Sequence, residues 1–356
     1  MPTSNVSGLE TRSRRAMIVL GGSIAFILCL LMYQYYGRYY SDPPFHLKTE
    51  KVQSKLSAKK VAVGLYINNF SKFSFYNNKF IFNGVVWFRA PKGKMDIETL
   101  GNFRVHSGEI LQKSKPFIKH IENDVVICYK VTIQFMTFLN YKYFPFSDHQ
   151  LNIVIENWGM SPEEIVFVSD KKDFRHSDHL FVSSWKLSQQ EVRTGIIEAT
   201  LQEGKHPMNL DHPSVVFTMK FENLGFKKFI TLYLPLFLMF FMTLFTLLIN
   251  VTRYDVRLSL VATNVAAVIL FRMVINSLGP KTNMITVMDS TYFVLVAQSI
   301  VVLFFQTYLG FEVIAWENLT DGRRKTKLEE YRKVNDIVFY GLLVSLLAFF
   351  VYIVIP

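Results

Sequence analysis

The chain has 356 residues, of which half are hydrophobic, and it carries 39 basic and 28 acidic side chains, a net charge of +11. Its hydrophobic residues are bunched into runs, which favours a membrane protein with one water-exposed domain over a large globular enzyme. The basic residues are spread along the chain, so they do not form the concentrated patch of a nucleic-acid-binding protein.

Five apolar runs are long enough to cross a hydrocarbon core of about 30 Å as helices. They span residues 16–36, 229–249, 253–278, 292–315 and 337–355. Residues 37–228 contain no such run and are predicted to form a domain in water. Of the two cysteines, Cys29 lies in the first run, which leaves Cys128 alone, so this domain must fold without disulfides.

Short basic segments predict the orientation, because lysine and arginine beside membrane helices are retained in the cytoplasm. The segment "TRSRR" precedes the first run, and "DGRRKTK" lies between the fourth and fifth. Both are placed inside, so residues 37–228 and the C-terminus are predicted to be outside a plasma (inner) membrane that the chain crosses several times. The first run is interpreted as an uncleaved anchor, with a secretory signal peptide as the alternative.

The region after the first run has two parts. Residues 37–60 are polar, contain "DPP" and are interpreted as a linker. From Val61 onward, short β-branched and aromatic runs such as "KFIFNGVVWF" and "QLNIVIEN" alternate with turn residues. This pattern predicts a β-sandwich.

The third apolar run carries a polar stripe. At about 100° per residue, six of its side chains fall within roughly 80° of arc on one helical face. They are Asp255, Ser259, Thr263, Ala266, Leu270 and Met273. Such a stripe faces either a water-filled cavity or a seam where helices pack closely.

Several short motifs follow one another in a fixed order. "VGLYI" and "VVW" lie in the first two predicted strands, "TFLNYKYFPFSDHQL" spans residues 137–151, and "LYLP" and "PKT" lie at residues 232–235 and 280–282. Together with a sandwich followed by four apolar helices, they resemble the pentameric ligand-gated ion channels, the Cys-loop receptor superfamily, and most closely its prokaryotic-type members. The resemblance covers residues 61–356. Thr137 and Leu151 occupy the positions of the two cysteines of animal receptors, a disulfide that prokaryotic members also lack.

The resemblance implies an α+β membrane protein in which an extracytoplasmic β-sandwich precedes a four-helix transmembrane bundle, with an extra N-terminal transmembrane anchor. The implied segments are 1–15, a cytoplasmic tail; 16–36, the anchor or signal; 37–60, the linker; 61–228, the ligand-binding-type sandwich; and 229–356, the pore domain. It further implies a homopentamer in which the stripe lines a central pore, with Leu270 and Met273 as apolar rings that close it by dewetting.

Gating is expected to pass from "FPFSDH" in one layer to "GPKT" in the other. The implied coupling residues are Pro145, Phe146, Asp148, Lys220, Asn223, Pro280, Lys281 and Thr282. Two positions depart from the family pattern, since Ser147 replaces the usual aspartate, with Asp148 one place later, and Asn223 stands where an arginine is usual. The stimulus is left open between protons, a small amine and a mechanical or lipid cue.

Trp158 matches the tryptophan of the aromatic box in acetylcholine-type receptors, and an indole face attracts cations within about 6 Å. The alternative is a tryptophan packed at a strand end, because the facing hairpin 201–212 has no aromatic residue and the family's Trp-x-Pro-Asp segment is missing. The loop "RHSDH" at residues 175–179 is interpreted as solvated rather than as a metal site.

The charge pattern predicts a weak preference for cations. Five copies of Asp255 would form a negative ring at the cytoplasmic mouth, whereas Arg257 points about 160° away from it. Residues 37–228 hold 26 basic and 19 acidic residues, a net +7 that opposes the ring. The electrostatic field of these basic residues is screened over about 8 Å, so the Asp255 ring is expected to determine the ion preference.

The predicted function is therefore an ion channel that conducts monovalent cations, lies in a lipid bilayer and responds to an unknown agonist. No phosphate-binding loop, nucleophile elbow or catalytic carboxylate pair stands in a credible context, so no enzyme, no cofactor and no nucleic-acid partner are predicted. Two alternatives stay open: a non-conducting receptor or scaffold on the same fold, and an anchored ligand-binding protein whose helices only pack together.

Overall fold

The computed structural model describes residues 4–37, 42–48, 58–93, 96–198, 200–203, 206–316 and 320–354. It divides into a helical unit, which also contains the segment Tyr141–Phe146, and a strand unit. Parts of the predicted linker, residues 38–41 and 49–57, lie outside the described residues.

The helices are long where the sequence is apolar. Their bounds are α1 Ser4–Tyr36, α2 Ile97–Gly101, α3 Phe226–Thr246, α4 Tyr254–Leu278, α5 Val287–Ala315 and α6 Asp321–Val354. Within the described ranges, all but the short α2 are long and apolar enough to cross a membrane, which confirms the five predicted runs and indicates a membrane protein. The basic connection before the last run is helical, because α6 begins at Asp321.

The strand unit contains two main sheets and a hairpin. Its strands are β1 Lys59–Ser74, β2 Lys79–Pro91, β3 Arg104–Val105, β4 Gly108–Lys113, β5 Phe117–Ile121, β6 Asp124–Phe135, β7 His149–Glu156, β8 Ile165–Val168, β9 Phe174–His176, β10 Trp185–Ile197, β11 Thr200–Glu203, β12 His206–Asn209 and β13 His212–Asn223. The larger sheet has the order β4-β6-β2-β1-β8, with β5 beside β6 and β9 beside β1, and the smaller has the order β10-β13-β7-β3. The remaining pair is the β11–β12 hairpin.

The core of this unit lies between the two sheets. Along β2, Phe80, Phe82, Val86 and Phe88 are buried at alternate positions, as expected for a strand with one face inward. Rings also meet across the sheets, with the centroid of Phe73 on β1 lying 5.0 Å from that of Phe221 on β13. The described fold is therefore mixed α+β, with a sandwich-like strand unit ahead of four of the five long helices.

Residues 42–48, a described part of the predicted linker, belong to the strand unit and contact it through Asp42. The Asp42 carboxylate accepts hydrogen bonds from the backbone N–H groups of Asn140, at 2.6 Å, and Gln150, at 2.8 Å. His149 Nδ1 lies 3.0 Å from Asp42 Oδ2, and the side chains of both residues are almost completely buried. Asp42 thereby connects the chain segment that precedes β1 to residues 140 and 150.

Candidate functional site

The predicted stripe on α4 lies entirely on the exposed side of the helix. Asp255, Ser259, Thr263, Ala266, Leu270 and Met273 are all exposed in the single chain. The Thr263 hydroxyl donates to the Ser259 carbonyl oxygen at 2.9 Å, so its polarity is partly satisfied within the helix. Asp255 stands in the first turn, where a carboxylate also interacts favourably with the helix dipole.

The opposite side of α4 packs within the helical unit. Its buried residues are Arg257, Val261, Val265, Val268 and Ile275. On a wheel that starts at Asp255, they fall between about 200° and 280°, whereas the stripe occupies about 0° to 80°. The helix therefore has one face that packs within the chain and another that this chain leaves uncovered.

Two arginines of α4 are held away from the stripe. Arg257 is fully buried, and its guanidinium donates to Asn335 of α6, whose amide donates to the Leu247 carbonyl at 2.6 Å. Arg272 pairs with Asp289 of α5 and lies over the ring of Tyr292, 5.3 Å from its centroid. Asp255 is thus the charged side chain on the stripe itself.

The segment Tyr141–Phe146, which contains "FPF", groups with the helices and not with the strands. Its backbone carbonyls at Lys142 and Phe144 accept hydrogen bonds from the N–H groups of Val287, at 2.8 Å, and Met288, at 3.3 Å. The first amides of a helix have no partner within it, so this segment supplies acceptors that the start of α5 needs. The Phe146 ring packs 5.5 Å from Phe229 of α3.

Three of the predicted coupling residues, Pro280, Lys281 and Thr282, line a small cavity of about 230 Å³. Phe144, which forms a cis peptide bond with Pro145, lines it together with Pro280, Lys281 and Thr282. The first residue of "FPF", Phe144, thus shares a cavity with "PKT", between the end of α4 and the start of α5.

The other predicted coupling residues lie in the strand unit. Asp148 Oδ1 accepts a hydrogen bond from the Asn223 backbone N–H at 2.7 Å, which ties the start of β7 to the end of β13. Lys220 Nζ lies 2.6 Å from Glu191 Oε1 on the neighbouring strand β10. These three residues belong to the strand unit, and the "FPF" and "PKT" residues belong to the helical unit.

Trp158 follows β7 and is 55% exposed. Its Nε1 donates to Glu156 Oε1 at 2.9 Å, and its indole faces the guanidinium of Arg104, whose Cζ lies 4.9 Å from the ring centroid. His106 Nδ1 and His212 Nε2 each lie 3.2 Å from Glu156 Oε2. A buried carboxylate thus fixes the indole and two imidazoles at one end of the smaller sheet.

Hydrogen bonding determines the charge state of this cluster. Burial raises the pKa of Glu156, but hydrogen bonds from His106, His212 and Trp158 outweigh it and lower the pKa to about 2. Burial lowers the pKa of His212, yet its bonds to Glu156 and to the Leu210 carbonyl produce a net rise. Glu156 is therefore ionised at neutral pH.

Sequence reasoning named Trp158 as a candidate but did not name the residues around it, Glu156, Arg104, His106 and His212. Periodicity could not find them, because β7 is buried at every position and Glu156 occupies an ordinary strand site. The pairing of Arg104 with Glu156 across β3 and β7 is a long-range register that local patterns do not contain. In the "RHSDH" loop, His176 Nδ1 contacts the Ser177 carbonyl oxygen, 3.0 Å away.

Comparison with protein-family models and with curated proteins returns no match for this sequence. At the level of the fold, a sandwich-like strand unit followed by apolar helices agrees with the resemblance to pentameric ligand-gated ion channels.

Proposed function

We propose that this chain forms a homopentameric ion channel in which α4 lines the pore and the strand unit receives an extracytoplasmic stimulus. The observation that carries the proposal is the coincidence of the polar stripe with the uncovered face of α4. A polar face in a membrane requires protein or water opposite it, because charged and polar groups are costly in hydrocarbon. Closed rings of identical subunits enclose such water on their axis.

The chemistry of the stripe changes along the helix. The end near the N-terminus of α4 is polar and consists of Asp255, Ser259 and Thr263. The other end is apolar and consists of Leu270 and Met273. We assign cation preference to the ring of Asp255 and closure by dewetting to the rings of Leu270 and Met273. Leu270 and Met273 are 65% and 73% exposed in the single chain, so both are available for such a ring.

The cavity around Phe144 supports a route for gating. The segment Tyr141–Phe146 is covalently continuous with β7 of the strand unit at Ser147, and its carbonyls cap α5. A stimulus shifts a closed–open equilibrium only if it has different affinities for the two states. We propose that such a shift moves this segment, and with it the "PKT" connection at the end of α4.

The proposed orientation follows the basic segments. The N-terminus lies in the cytoplasm, and the strand unit and the C-terminus lie outside the plasma (inner) membrane. A non-conducting receptor or scaffold with the same fold is the alternative, in which the uncovered face of α4 would serve as a packing seam between copies.

Purified full-length protein in a planar bilayer tests the proposal. We expect single-channel steps whose conductance changes at least twofold in Thr263→Ala. Thr231→Ala is the matched control, because Thr231 is also exposed and its hydroxyl also donates to the carbonyl four residues earlier, at 2.8 Å. The absence of steps, or equal effects of the two substitutions, would favour the scaffold.

Mass determination in detergent tests the assembly separately. We expect a particle with five times the mass of the 41.4 kDa chain. A stable monomer or dimer would contradict a pore built from one helix of each subunit.

A further inference from the structure

An open cavity of about 360 Å³ lies beside Trp158 in the strand unit, at the lower end of the size range of small-molecule sites. Its lining combines two aromatic rings, Phe103 and Trp158, with two cationic side chains, Arg104 and Lys113. Among its described lining residues there is no acidic side chain. Because Phe103 is buried and Trp158 is half exposed, the cavity offers positive charge beside the apolar surface of the indole.

The indole face is already occupied by a cation of the same chain. Arg104 Cζ lies 4.9 Å from the centroid of Trp158, within the distance at which a cation is attracted by the ring. A cationic ligand on this face would have to displace the guanidinium. The remaining N–H donors of Arg104 are suited to a carboxylate, which matches the planar guanidinium fork.

Lys113 is the second cationic side chain of the cavity lining. Its Nζ lies 4.5 Å from the ring centroid of Phe103 and 4.6 Å from that of Tyr129, and it donates to the Gly101 carbonyl. Desolvation lowers the pKa of this ammonium group, and no acidic side chain among the described lining residues provides compensation. An anion in the cavity would supply that compensation.

Neither cation has an acidic partner in the described part of the chain. The ion pairs of this unit involve other side chains, and the nearest buried carboxylate, Glu156, is bonded to His106, His212 and Trp158. Because the His212 imidazole bonds to Glu156 and to the Leu210 carbonyl, it offsets the charge of the carboxylate. The cavity consequently keeps the positive charge of Arg104 and Lys113.

We infer that this cavity binds a small organic carboxylate, with the carboxylate held by Arg104 and Lys113 and the apolar body against the exposed part of Trp158. The inference adds the chemical class of the stimulus to the proposed function. It rests on that function only in treating the bound carboxylate as the stimulus of a channel. It excludes a small amine as the ligand of this cavity.

Three probes of similar size and different charge test the inference by isothermal titration calorimetry on the full-length protein in detergent. They are benzoate, benzylammonium and benzyl alcohol, compared at equal ionic strength. We expect benzoate to bind and the other two to bind at least tenfold more weakly. Tighter binding of benzylammonium, or no binding of benzoate, would overturn the inference.

Substitutions locate the binding. Arg104→Gln and Lys113→Gln should each raise the dissociation constant of benzoate about tenfold or more, because each removes a charge-assisted contact. Arg89→Gln is the control for the first, since Arg89 also lies over a tryptophan, 5.7 Å from the Trp87 centroid. Lys119→Gln, at an exposed position on β5, is the control for the second.

Equal losses in the controls would place benzoate elsewhere and overturn the inference. Lys113→Arg keeps the charge and should retain binding within a few-fold, which separates a lost contact from a misfolded variant. The outcomes are independent of conduction: steps in a bilayer without benzoate binding reject only this inference, and benzoate binding without steps rejects only the channel.

Discussion

His212 is positioned as an imidazolium against Glu156. Its Nε2 lies 3.2 Å from Glu156 Oε2, while its Nδ1 lies 2.8 Å from the carbonyl oxygen of Leu210. A neutral imidazole has only one N–H, so it cannot donate to both acceptors when Glu156 is ionised. Asp211 adds negative charge nearby and His106 shares the same carboxylate oxygen, so the pair responds to pH.

The strand unit is expected to be most stable between about pH 4.5 and 6.5. The pKa of His212 is raised from 6.5 by folding, so its contribution is complete below that value and is lost as the pH rises through the raised pKa. The pKa of Glu156 is lowered from 4.5 to about 2, so its contribution is complete above 4.5 and is lost as the pH falls towards 2. Thermal unfolding followed by tryptophan fluorescence, from below pH 4.5 to above pH 6.5, measures the loss of stability on both sides.

His212→Gln should reduce the loss of stability at alkaline pH. Glu156→Gln should lower the free energy of unfolding at neutral pH by roughly 2 to 3 kcal/mol. His176→Gln is the control, because His176 contacts a backbone carbonyl instead of a carboxylate. A loss of stability at alkaline pH that survives in His212→Gln would show that another group titrates.

Asp255 should determine the charge selectivity of the proposed channel. Asp255→Asn removes the charged side chain from the stripe, so the reversal potential in a salt gradient should move towards that of chloride. Glu312→Gln removes the same charge from α5, where Glu312 accepts from Tyr308 at 3.2 Å, and should leave the potential unchanged. A wild-type reversal potential close to that of chloride would show that the basic residues of the strand unit dominate.

Pro280 is expected to influence opening more than assembly. It lines the cavity with Phe144 at the end of α4, and its carbonyl accepts from the Thr282 N–H at 3.0 Å in the turn before α5. Pro280→Ala relaxes this turn and should change the open probability about fivefold or more while the particle mass stays the same. Pro91→Ala, at the end of β2, is the control. An unchanged open probability would argue against gating through this connection.

The sequence predicted what local periodicity encodes and missed what depends on long-range register. The apolar runs and the face of α4 followed from spacing alone, and the burial of Val261, Val265 and Val268 opposite the stripe agrees with them. The burial of Asp42 could not be foreseen, because its partners lie about a hundred residues away. The grouping of Phe146 with the helices likewise depends on the amides that start α5.

Asp42 should stabilise the strand unit strongly, although the sequence predicts a linker at residues 37–60. Asp42→Ala removes the carboxylate that contacts the buried His149 ring and accepts from the N–H groups of Asn140 and Gln150. We expect a loss of about 3 to 5 kcal/mol in the free energy of unfolding. Asp170→Ala, with an exposed carboxylate 3.7 Å from the Lys172 ammonium group, should cost less than about 1 kcal/mol. Similar losses in urea unfolding would contradict a special role for Asp42.

The first helix should remain in the mature protein. One face of α1 is buried at intervals of three or four residues, at Ala16, Leu20, Ser23, Ile27, Leu31 and Gln34. Near its end, the Tyr35 ring packs 5.4 Å from that of Phe226 at the start of α3. A signal peptide is removed and needs no face that fits the mature fold, whereas a retained anchor is stabilised by one. N-terminal sequencing and intact mass of the membrane-extracted protein should therefore find α1 present. Leu31 is fully buried, whereas Leu28 is 43% exposed. Leu31→Asn should therefore lower the unfolding temperature more than Leu28→Asn. A mature N-terminus beyond Tyr36 would show cleavage instead, and equal effects of the two substitutions would show that α1 does not pack through this face.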